Sequence, residues 1–245
     1  MKVTVRHYYD FRGLSQGIGQ SLDNADSWDT LRLQDGTADN VFAIPSSREA
    51  WERRCYMQSF LESHAQAIVR FVRGRFTRIN SYGVGTGILE FFIKKQLPEI
   101  FLQCSDYTVR SIDRLRQVFM EADEIIQFDM LNDAWNNDGL GTLYLFYRMD
   151  TCFDDDQWRT ILANMCKHGV TNILFVPSEF LTFQRFLIQK LKYYFYKFFG
   201  KRIIFAGYLR TRSQFFDLLT LHYSIEQHLT IGNLTGFLLT IKENS

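Results

Sequence analysis

The feature that most constrains the fold is a strict alternation of strand-type and helix-type segments, which begins near residue 76. Short apolar runs such as EIFLQCSD (99–106) and VTNILFVPSE (170–179) alternate with longer amphipathic runs such as TVRSIDRLRQVFMEAD (108–123). Strands joined by helices of this length pair in parallel through right-handed crossovers, which place helices on both faces of a sheet. The pattern predicts an α/β fold with an open, mostly parallel sheet.

The last part of the chain breaks this alternation. A long helix-type run (180–200) and a shorter one near RSQFFDLL (212–219) are followed by HYSIEQHLTIGNLTGFLLTIK (222–242). The two β-type runs of that last segment are separated by a Gly-Asn pair, which is typical of an antiparallel hairpin. The sequence therefore predicts a parallel sheet that ends in an antiparallel hairpin.

The first 75 residues have a different pattern. Residues 12–47 concentrate Gly, Asp, Ser and Asn without a long periodic run, which predicts loops and turns. Residues 46–73 have helical spacing, and Ser46 with Glu49 forms a capping-box pattern at their start. We expect two units, an N-terminal helical and loop cap (1–75) and a core domain (76–245).

Composition narrows the class of protein. The formal net charge is +1 and charged residues are 22% of the chain, so no overall field favours nucleic acid, and we expect no nucleic-acid partner. The four cysteines are scattered without metal-ligand spacing, which predicts a reduced compartment and no metal site. No apolar run approaches the roughly 18 residues of a membrane span, and the first residues do not form a signal peptide. We expect a soluble cytoplasmic protein.

A glycine loop follows the first strand of the alternation. Gly83, Gly85 and Gly87 lie in SYGVGTG (81–87), where an open parallel sheet binds its ligand. The spacing is one residue tighter than the G-x-G-x-x-G of dinucleotide-binding proteins. Glycine lets backbone amides approach a ligand closely, so the loop favours a small zwitterionic or nucleoside ligand.

Two acidic residues end the next two strands. Asp106 closes the second strand, where a carboxylate can accept hydrogen bonds from both hydroxyls of a ribose. Asp129 closes the third strand, where it can accept from an exocyclic adenine amine. A carboxylate at the position of Asp106 also disfavours a phosphorylated ribose. Together the two acids indicate an adenosine-containing ligand.

The motifs SYGVGTG, CSDYT, QFDM, LYLFYRMD and GVTNILFVPSE, with the final hairpin, resemble the class I S-adenosylmethionine-dependent methyltransferases in their order, over about residues 76–242. The resemblance implies a Rossmann-like seven-stranded sheet whose last pair is antiparallel, and S-adenosyl-L-methionine as cofactor. The resemblance also implies that the three glycines wrap the methionine half, Asp106 holds the ribose, and Asp129 with Met130 flanks the adenine. The implied cofactor-binding residues are Ser81, Gly83, Gly85, Gly87, Asp106, Tyr107, Asp129, Met130 and Tyr147.

One position departs from the family pattern. The family usually has an acid two residues before the first glycine, where this chain has Ser81. One hypothesis is that Ser81 or a neighbouring carbonyl substitutes for that acid. The departure also supports an alternative function, a non-catalytic methyltransferase-like domain that serves as a partner subunit or scaffold. A nicotinamide-dependent enzyme is a third alternative, which the glycine spacing and the hairpin disfavour.

Methyl transfer from a sulfonium needs mainly alignment, so the sequence need not show a catalytic dyad. The carboxyl ends of the fourth and fifth strands offer Arg148, Asp150, Ser178 and Glu179. Asp150 is the predicted base or acceptor-orienting residue. The alternative is that Asp150 only caps the next helix together with 154–156.

The acceptor is inferred by elimination. The fourth strand lacks the Asn-Pro-Pro-aromatic ending of base-amine methyltransferases. The paired glutamates of arginine methyltransferases are not found after it. The acids after the fourth and fifth strands do not form the magnesium site of catechol-type enzymes, because the fifth offers only Glu179. The remaining acceptor is a hydroxyl of a small molecule or of a saccharide. The family often folds its N-terminal segment over the cofactor, so His-Tyr-Tyr at 7–9 is interpreted either as a lid or as plain packing.

The segment QKLKYYFYKFFGKR (189–202) alternates lysine with aromatic residues. Three interpretations stay open: a helix buried against the sheet with its lysines reaching outward, a surface for lipid headgroups or a lipid-linked acceptor, and a homodimer or substrate-contacting face. Farther on, Arg210 and Arg212 are predicted either to contact an anion or sugar at the pocket mouth or to be surface charges.

Overall fold

The computed structural model describes residues 5–9, 25–33, 40, 42–199 and 204–242; of 5–9, 196 and 204–206 it describes the backbone only. The helices of this part are α1 (Ala25–Arg32), α2 (Arg48–Met57), α3 (Phe60–Val72), α4 (Ile88–Gln96), α5 (Val109–Val118), α6 (Asp155–Lys167), α7 (Phe183–Phe198) and α8 (Arg212–Leu219). The strands are β1 (Val5–Tyr9), β2 (Arg78–Tyr82), β3 (Phe101–Asp106), β4 (Glu124–Gln127), β5 (Thr142–Tyr147), β6 (Ile173–Val176), β7 (Ile204–Leu209), β8 (Tyr223–Ile231) and β9 (Leu234–Ile241).

Seven of these strands form one sheet in the order β4-β3-β2-β5-β6-β9-β8. The first five are parallel, and β9 pairs antiparallel with both β6 and β8. This confirms the predicted Rossmann-like seven-stranded sheet with an antiparallel C-terminal hairpin. The order reverses at β2, which has β3 on one side and β5 on the other, so the carboxyl end of β2 is the switch point of the sheet.

Helices cover both faces of the sheet, as predicted. Leu143 and Leu145 of β5 belong to a buried cluster with α2, α3, α4 and α5, whereas Tyr144 and Phe146 belong to a second cluster with α6 and α8. Burying a large side chain of this kind contributes about 1.5–3 kcal/mol. The Tyr144 hydroxyl is satisfied, since it donates to the Asn136 carbonyl at 2.9 Å. A strand buried on both faces explains the continuous apolar run of this segment.

The N-terminal region differs from the prediction in two places. Residues 25–32, predicted as loop, form α1. Tertiary contacts hold this helix in place, because the Asp29 carboxylate accepts from the Ser111 amide at 2.9 Å and from the Ser111 hydroxyl at 2.6 Å. The N-cap of α2 is Ser47 rather than Ser46, because the Ser47 hydroxyl accepts from the Ala50 amide. The helices α2 and α3 share the core of the sheet, so the division at residue 75 stays a prediction from sequence.

Between β6 and α8 the chain leaves the main sheet and forms α7 and β7. Strand β7, which the sequence analysis did not predict, pairs antiparallel with β1. This two-stranded sheet is attached to the carboxyl edge of the main sheet, because the Tyr208 amide donates to the Thr151 carbonyl at 2.8 Å and the Leu181 amide donates to the Arg210 carbonyl at 2.7 Å. The lid interpretation of 7–9 concerns side chains outside the described residues.

The interpretation of α7 as a helix buried against the sheet is wrong. Phe183, Leu191 and Phe198 are 75%, 70% and 85% exposed. The physical reason is that α2–α5 cover one face of the sheet and α6 and α8 cover the other, so both clusters are complete without α7. The part of segment 189–202 beyond 199 lies outside the described residues.

Candidate functional site

The glycine loop joins β2 to α4 with a backbone that favours glycine. Gly83, Gly85 and Gly87 have φ of 66°, 58° and 71°, in the left-handed region that other residues rarely adopt. A Cβ on Gly83 would collide with the side chain of Met149. The loop therefore bends tightly across the carboxyl end of β2 and brings its backbone amides to the switch point of the sheet.

Asp106 lies beside this loop at the end of β3, where it is only 3% exposed. Its Oδ2 accepts from the Gly85 amide at 3.1 Å, and its Oδ1 accepts from Arg32 Nη1 at 2.7 Å. The Thr108 hydroxyl lies 3.3 Å from the same Oδ1. The carboxylate predicted to hold a ribose is thus fixed next to the glycine loop, with a cation on its other side.

Arg32 reaches this carboxylate from the last residue of α1. Its guanidinium also donates to the Thr108 hydroxyl at 3.1 Å and lies 5.0 Å from the ring centroid of Trp28. The nearest atom to a Cβ built on Gly85 is Arg32 Nη2, at 3.7 Å. The sequence analysis missed Arg32, since it is 74 positions from Asp106 in a segment without periodic pattern.

A buried carboxylate lies beside Ser81, where the family pattern has its acid on the strand. The Ser81 hydroxyl donates to Glu90 Oε1 at 2.7 Å, and the two residues are 1% and 2% exposed. Burial raises the pKa of Glu90 from 4.5 to about 7, against the smaller opposing effect of the Ser81 hydrogen bond. The sequence signal that was missed is a single acid inside the apolar run GILEFF (87–92).

A pocket opens next to the loop, lined among others by Phe60, Gly83, Glu90, Tyr147 and Arg148. Its volume of about 120 Å³ is well below the roughly 300 Å³ at which drug-sized ligand pockets begin. The pocket is partly open to solvent and does not include Asp106, so its volume does not limit a ligand that also extends along the sheet edge.

Tyr147, which lines the pocket, forms a hydrogen-bonded pair with His64. The Tyr147 hydroxyl lies 2.6 Å from His64 Nδ1. Burial, followed by the nearby charge of Arg148, lowers the pKa of His64, and burial raises the pKa of Tyr147 to about 12. Both groups are therefore neutral near pH 7, and a neutral imidazole can accept a proton. Sequence analysis assigned no role to His64.

Asp150, the predicted base, is 6% exposed, and its carboxylate is directed at Ser178. Oδ1 accepts from the Ser178 amide at 2.7 Å and from its hydroxyl at 2.9 Å. Burial raises the pKa of Asp150, against the effect of these hydrogen bonds. The contacts join the loops that follow β5 and β6.

Arg210 is neither a contact at the pocket mouth nor a surface charge, the two predicted alternatives, because it is 4% exposed and its guanidinium is bonded within the protein. Its Nη1 donates to the Asp150 carbonyl at 2.5 Å, and its Nε pairs with Asp155 at 2.7 Å. Its Nη2 donates to the Phe153 carbonyl at 2.5 Å. Arg210 therefore binds together the turn between β5 and α6.

The remaining predicted residues follow β3 and β4 at the same sheet edge. The Asp129 carboxylate accepts from the Leu131 amide at 2.9 Å and from Asn132 Nδ2 at 2.8 Å, so it closes a tight turn. Met130 is 5% exposed and belongs to a core cluster. Tyr107 is half-buried, directly after Asp106.

The chain has the fold of the class I S-adenosylmethionine-dependent methyltransferases, as solved structures show. Over 95% of the chain, it is similar to mitomycin 7-O-methyltransferase MmcR, with 17% identity, a TM-score of 0.58 and 67% of that chain covered. Human N-acetylserotonin methyltransferase, solved with S-adenosylmethionine, matches 85% of the chain with 19% identity and a TM-score of 0.54.

A third similar structure is the PH0226 protein from Pyrococcus horikoshii OT3, with 12% identity and a TM-score of 0.57. The alignment covers 76% of this chain and 91% of the PH0226 chain. By contrast, the chain spans 58% of the pyocyanin biosynthetic protein PhzM and 61% of the human enzyme. No protein-family model and no curated protein sequence matches this chain.

Proposed function

We propose that this protein is an S-adenosylmethionine-dependent methyltransferase that acts on a hydroxyl of a small molecule. The observation that carries the proposal is the hydrogen bond between the Gly85 amide and Asp106 at the switch point of a methyltransferase-type sheet. It joins a glycine loop, in which a Cβ at Gly83 would require Met149 to move, to a carboxylate suited to ribose hydroxyls. The two features meet although 21 positions separate them.

The residues present fit the cofactor in kind. The loop at 83–87 would bind the methionine part, Asp106 the ribose hydroxyls and Asp129 the adenine amine. When bound, S-adenosylmethionine would supply an electrophilic methyl group. A nucleophilic oxygen can take this methyl group because the positively charged sulfur is a good leaving group. The role of the chain is then to orient the two reactants and to exclude water, and that alignment is the main source of acceleration.

Glu90 supplies the carboxylate that the strand lacks at Ser81. A buried acid that lines the pocket and is hydrogen-bonded to Ser81 is placed to receive the amino group of the methionine part. Its raised pKa fits this role, because a cationic amine restores the ionised form. In this proposal Ser81 positions Glu90 and does not itself replace the missing acid.

For the acceptor, two routes of deprotonation are proposed. Tyr147, at 2.6 Å from the neutral His64, lines the pocket and can pass a proton from an acceptor hydroxyl to the imidazole. The second route uses Asp150, the base predicted from sequence. Its carboxylate is buried against Ser178, so it must turn away from Ser178 to reach an acceptor. A small-molecule acceptor is favoured over a saccharide by the names of the similar structures, mitomycin and N-acetylserotonin methyltransferases.

A second function, a scaffold without cofactor, is favoured by two contacts. Arg32 already contacts Asp106, and Met149 already occupies the space over Gly83. A chain that keeps these contacts permanently would retain the fold but not the ligand. Cofactor binding separates the two functions, because a scaffold of this kind binds neither S-adenosylmethionine nor S-adenosylhomocysteine.

The test is methyl transfer from S-adenosylmethionine to a panel of phenols, hydroxyquinones and free sugars, followed by mass spectrometry of the methylated product and of S-adenosylhomocysteine. We expect a phenol-type product. Tyr147→Phe and Asp150→Asn are compared with Tyr56→Phe, a control at a 51% exposed tyrosine. Loss of rate in Tyr147→Phe alone supports the Tyr147 and His64 pair; loss in Asp150→Asn alone supports Asp150. Sugar products alone would contradict the proposed acceptor class.

A further inference from the structure

Helix α7 presents one continuous apolar stripe away from the rest of the described structure. The stripe recurs every three or four residues, so its members lie on one side of the helix. Its members and their exposed fractions are Phe183 (75%), Leu187 (44%), Leu191 (70%), Tyr194 (62%) and Phe198 (85%). A contiguous apolar surface of this kind is uncommon on a soluble protein unless it binds something.

Basic side chains accompany this α7 stripe. At 3.6 residues per turn, Lys190 and Lys197 fall along one edge, and Lys192 lies on the other side of the helix, about 100° beyond the second edge. All three are exposed, and α7 contains no Asp or Glu. Lysine beside exposed aromatic residues is the composition of helices that lie in a membrane interface, where the stem packs on apolar groups and the ammonium reaches the headgroups.

The contact that attaches α7 to the protein is made beside the stripe, at the edge that carries Lys190 and Lys197. Phe186 is half-buried and packs on Leu181 and Leu209, the last residue of β7. The helix is thus held from one side by the inserted unit of α7 and β7. The stripe is a feature of the folded protein and not a sign of an incompletely packed core, since both clusters around the sheet are filled by other helices.

We propose that the α7 stripe docks on the surface of an anionic lipid bilayer, with the helix axis in the plane of the interface. Charge complementarity favours this occupant over a second copy of the chain. In a symmetric pair of α7 stripes, the same lysine edges would face each other, which like charges oppose, whereas anionic headgroups neutralise them. No helix of the described residues has the length and apolarity to span a membrane, so α7 would lie on the bilayer.

The attachment of this unit connects the lipid surface to the candidate site. Strand β7 bonds to Thr151, which follows the carboxyl end of β5, and α7 begins shortly after Ser178 beyond the end of β6. Docking through α7 would therefore bring lipid to the sheet edge that also carries the glycine loop. That an acceptor at the bilayer surface is methylated there rests on the proposed function, whereas the docking itself does not.

The test is co-sedimentation of the full chain with vesicles of phosphatidylcholine alone or mixed with phosphatidylglycerol. We expect binding to the mixed vesicles, weaker binding to the neutral ones, and a decrease with added salt. Leu191→Ser with Phe198→Ser should weaken binding by about tenfold or more, because two buried apolar side chains are lost. Leu140→Ser with Leu221→Ser, at leucines 82% and 50% exposed elsewhere, is the matched control and should bind as the unmodified chain does.

The charge contribution is tested separately. Lys190→Gln with Lys197→Gln should weaken binding to anionic vesicles by about tenfold or more, at roughly 1 kcal/mol per basic residue near the surface. Arg70→Gln with Lys167→Gln removes two exposed charges elsewhere and should leave binding unchanged. Circular dichroism confirms that all variants are folded.

Three results would overturn the proposal. The first is no binding to anionic vesicles by the folded, unmodified chain. The second is binding that the stripe variant Leu191→Ser with Phe198→Ser does not weaken. The third is a dimer in light scattering that this same variant converts to a monomer, without vesicle binding by either form; the α7 stripe would then be an interface between copies. None of these results bears on cofactor binding, so failure here leaves the proposed function standing.

Discussion

Arg32 and Asp106 form a buried ion pair, with 2.7 Å between Nη1 and Oδ1, that joins the N-terminal helix to the carboxylate predicted to hold a ribose. The exposed fractions of the two side chains are 10% and 3%. Oδ1 is also approached by Thr108, and Oδ2 already accepts from Gly85. A ribose that donates two hydroxyls to Asp106 therefore has to displace Arg32.

This competition predicts opposite effects of Arg32→Ala on stability and on affinity. Without ligand, the free energy of unfolding should fall by about 3–5 kcal/mol, because a buried carboxylate loses its partner. The affinity for S-adenosylmethionine should rise by about tenfold, since ribose hydroxyls no longer compete with a guanidinium. Urea unfolding and calorimetric titration measure the two quantities. Arg53→Ala, at an exposed arginine of α2, should change neither, and a weaker affinity in Arg32→Ala would show that Arg32 belongs to the cofactor site instead.

The pKa of Glu90 predicts how stability depends on pH. Its pKa is about 7 in the folded protein and 4.5 for the ordinary side chain, so the folded state binds the additional proton between these values. Stability should therefore fall as pH rises from about 4.5 to about 7, and then level off. Glu90→Gln lacks this dependence and should be more stable than the unmodified chain above pH 7, by on the order of 3 kcal/mol. Equal slopes of unfolding free energy against pH in the two proteins would contradict the assignment.

The same residue predicts how cofactor affinity depends on pH. If the ionised Glu90 receives the methionine amino group, the affinity for S-adenosylmethionine should rise between pH 6 and about pH 7, as the carboxyl with a pKa of about 7 ionises. In Glu90→Gln the affinity should be lower at pH 7 and the rise should be absent. Titration calorimetry at several pH values measures this. Ser81→Ala should weaken the affinity less than Glu90→Gln does, since Ser81 only positions the carboxylate.

A pair of glycine variants separates backbone strain from contact. Gly83 and Gly74 have similar φ, 66° and 74°, but a Cβ at Gly83 meets Met149 whereas one at Gly74 meets nothing within 4 Å. Gly74→Ala should cost about 1–2 kcal/mol of unfolding free energy from backbone strain alone. Gly83→Ala should cost more and abolish S-adenosylmethionine binding, because the loop backbone and Met149 must both shift. Unchanged binding in Gly83→Ala would remove that glycine from the site.

The sheet could be predicted from sequence because its signal is local and repeated. The parallel strands β5 and β6 are buried on both faces and read as apolar runs. The crossover helices have their own amphipathic period and end signals, as in the capping box of Asp154 and Gln157. The final hairpin is marked by its Gly-Asn turn between β8 and β9. These patterns need no knowledge of distant parts of the chain.

The parts that were not predicted depend on contacts between distant residues. Helix α1 has little apolar periodicity and is fixed by Asp29 on Ser111 and by Arg32 on Asp106. Strand β7 forms because β1 pairs with it, almost 200 residues away in the chain. The hydrogen bond between Ser81 and Glu90 crosses from a strand to the following helix, so the sequence alone did not show that a carboxylate lies beside Ser81.

The most direct test of the central claim is calorimetric titration of the purified chain with S-adenosylmethionine, beside Asp106→Ala and the control Asp113→Ala at an exposed acid of α5. The account predicts a dissociation constant of roughly 1 μM to 1 mM for the unmodified chain, loss of binding in Asp106→Ala and unchanged binding in Asp113→Ala. Absence of binding by both the unmodified chain and Arg32→Ala would contradict it and leave the scaffold function as the better account. Equal binding by Asp106→Ala would contradict the role of Asp106 in the site.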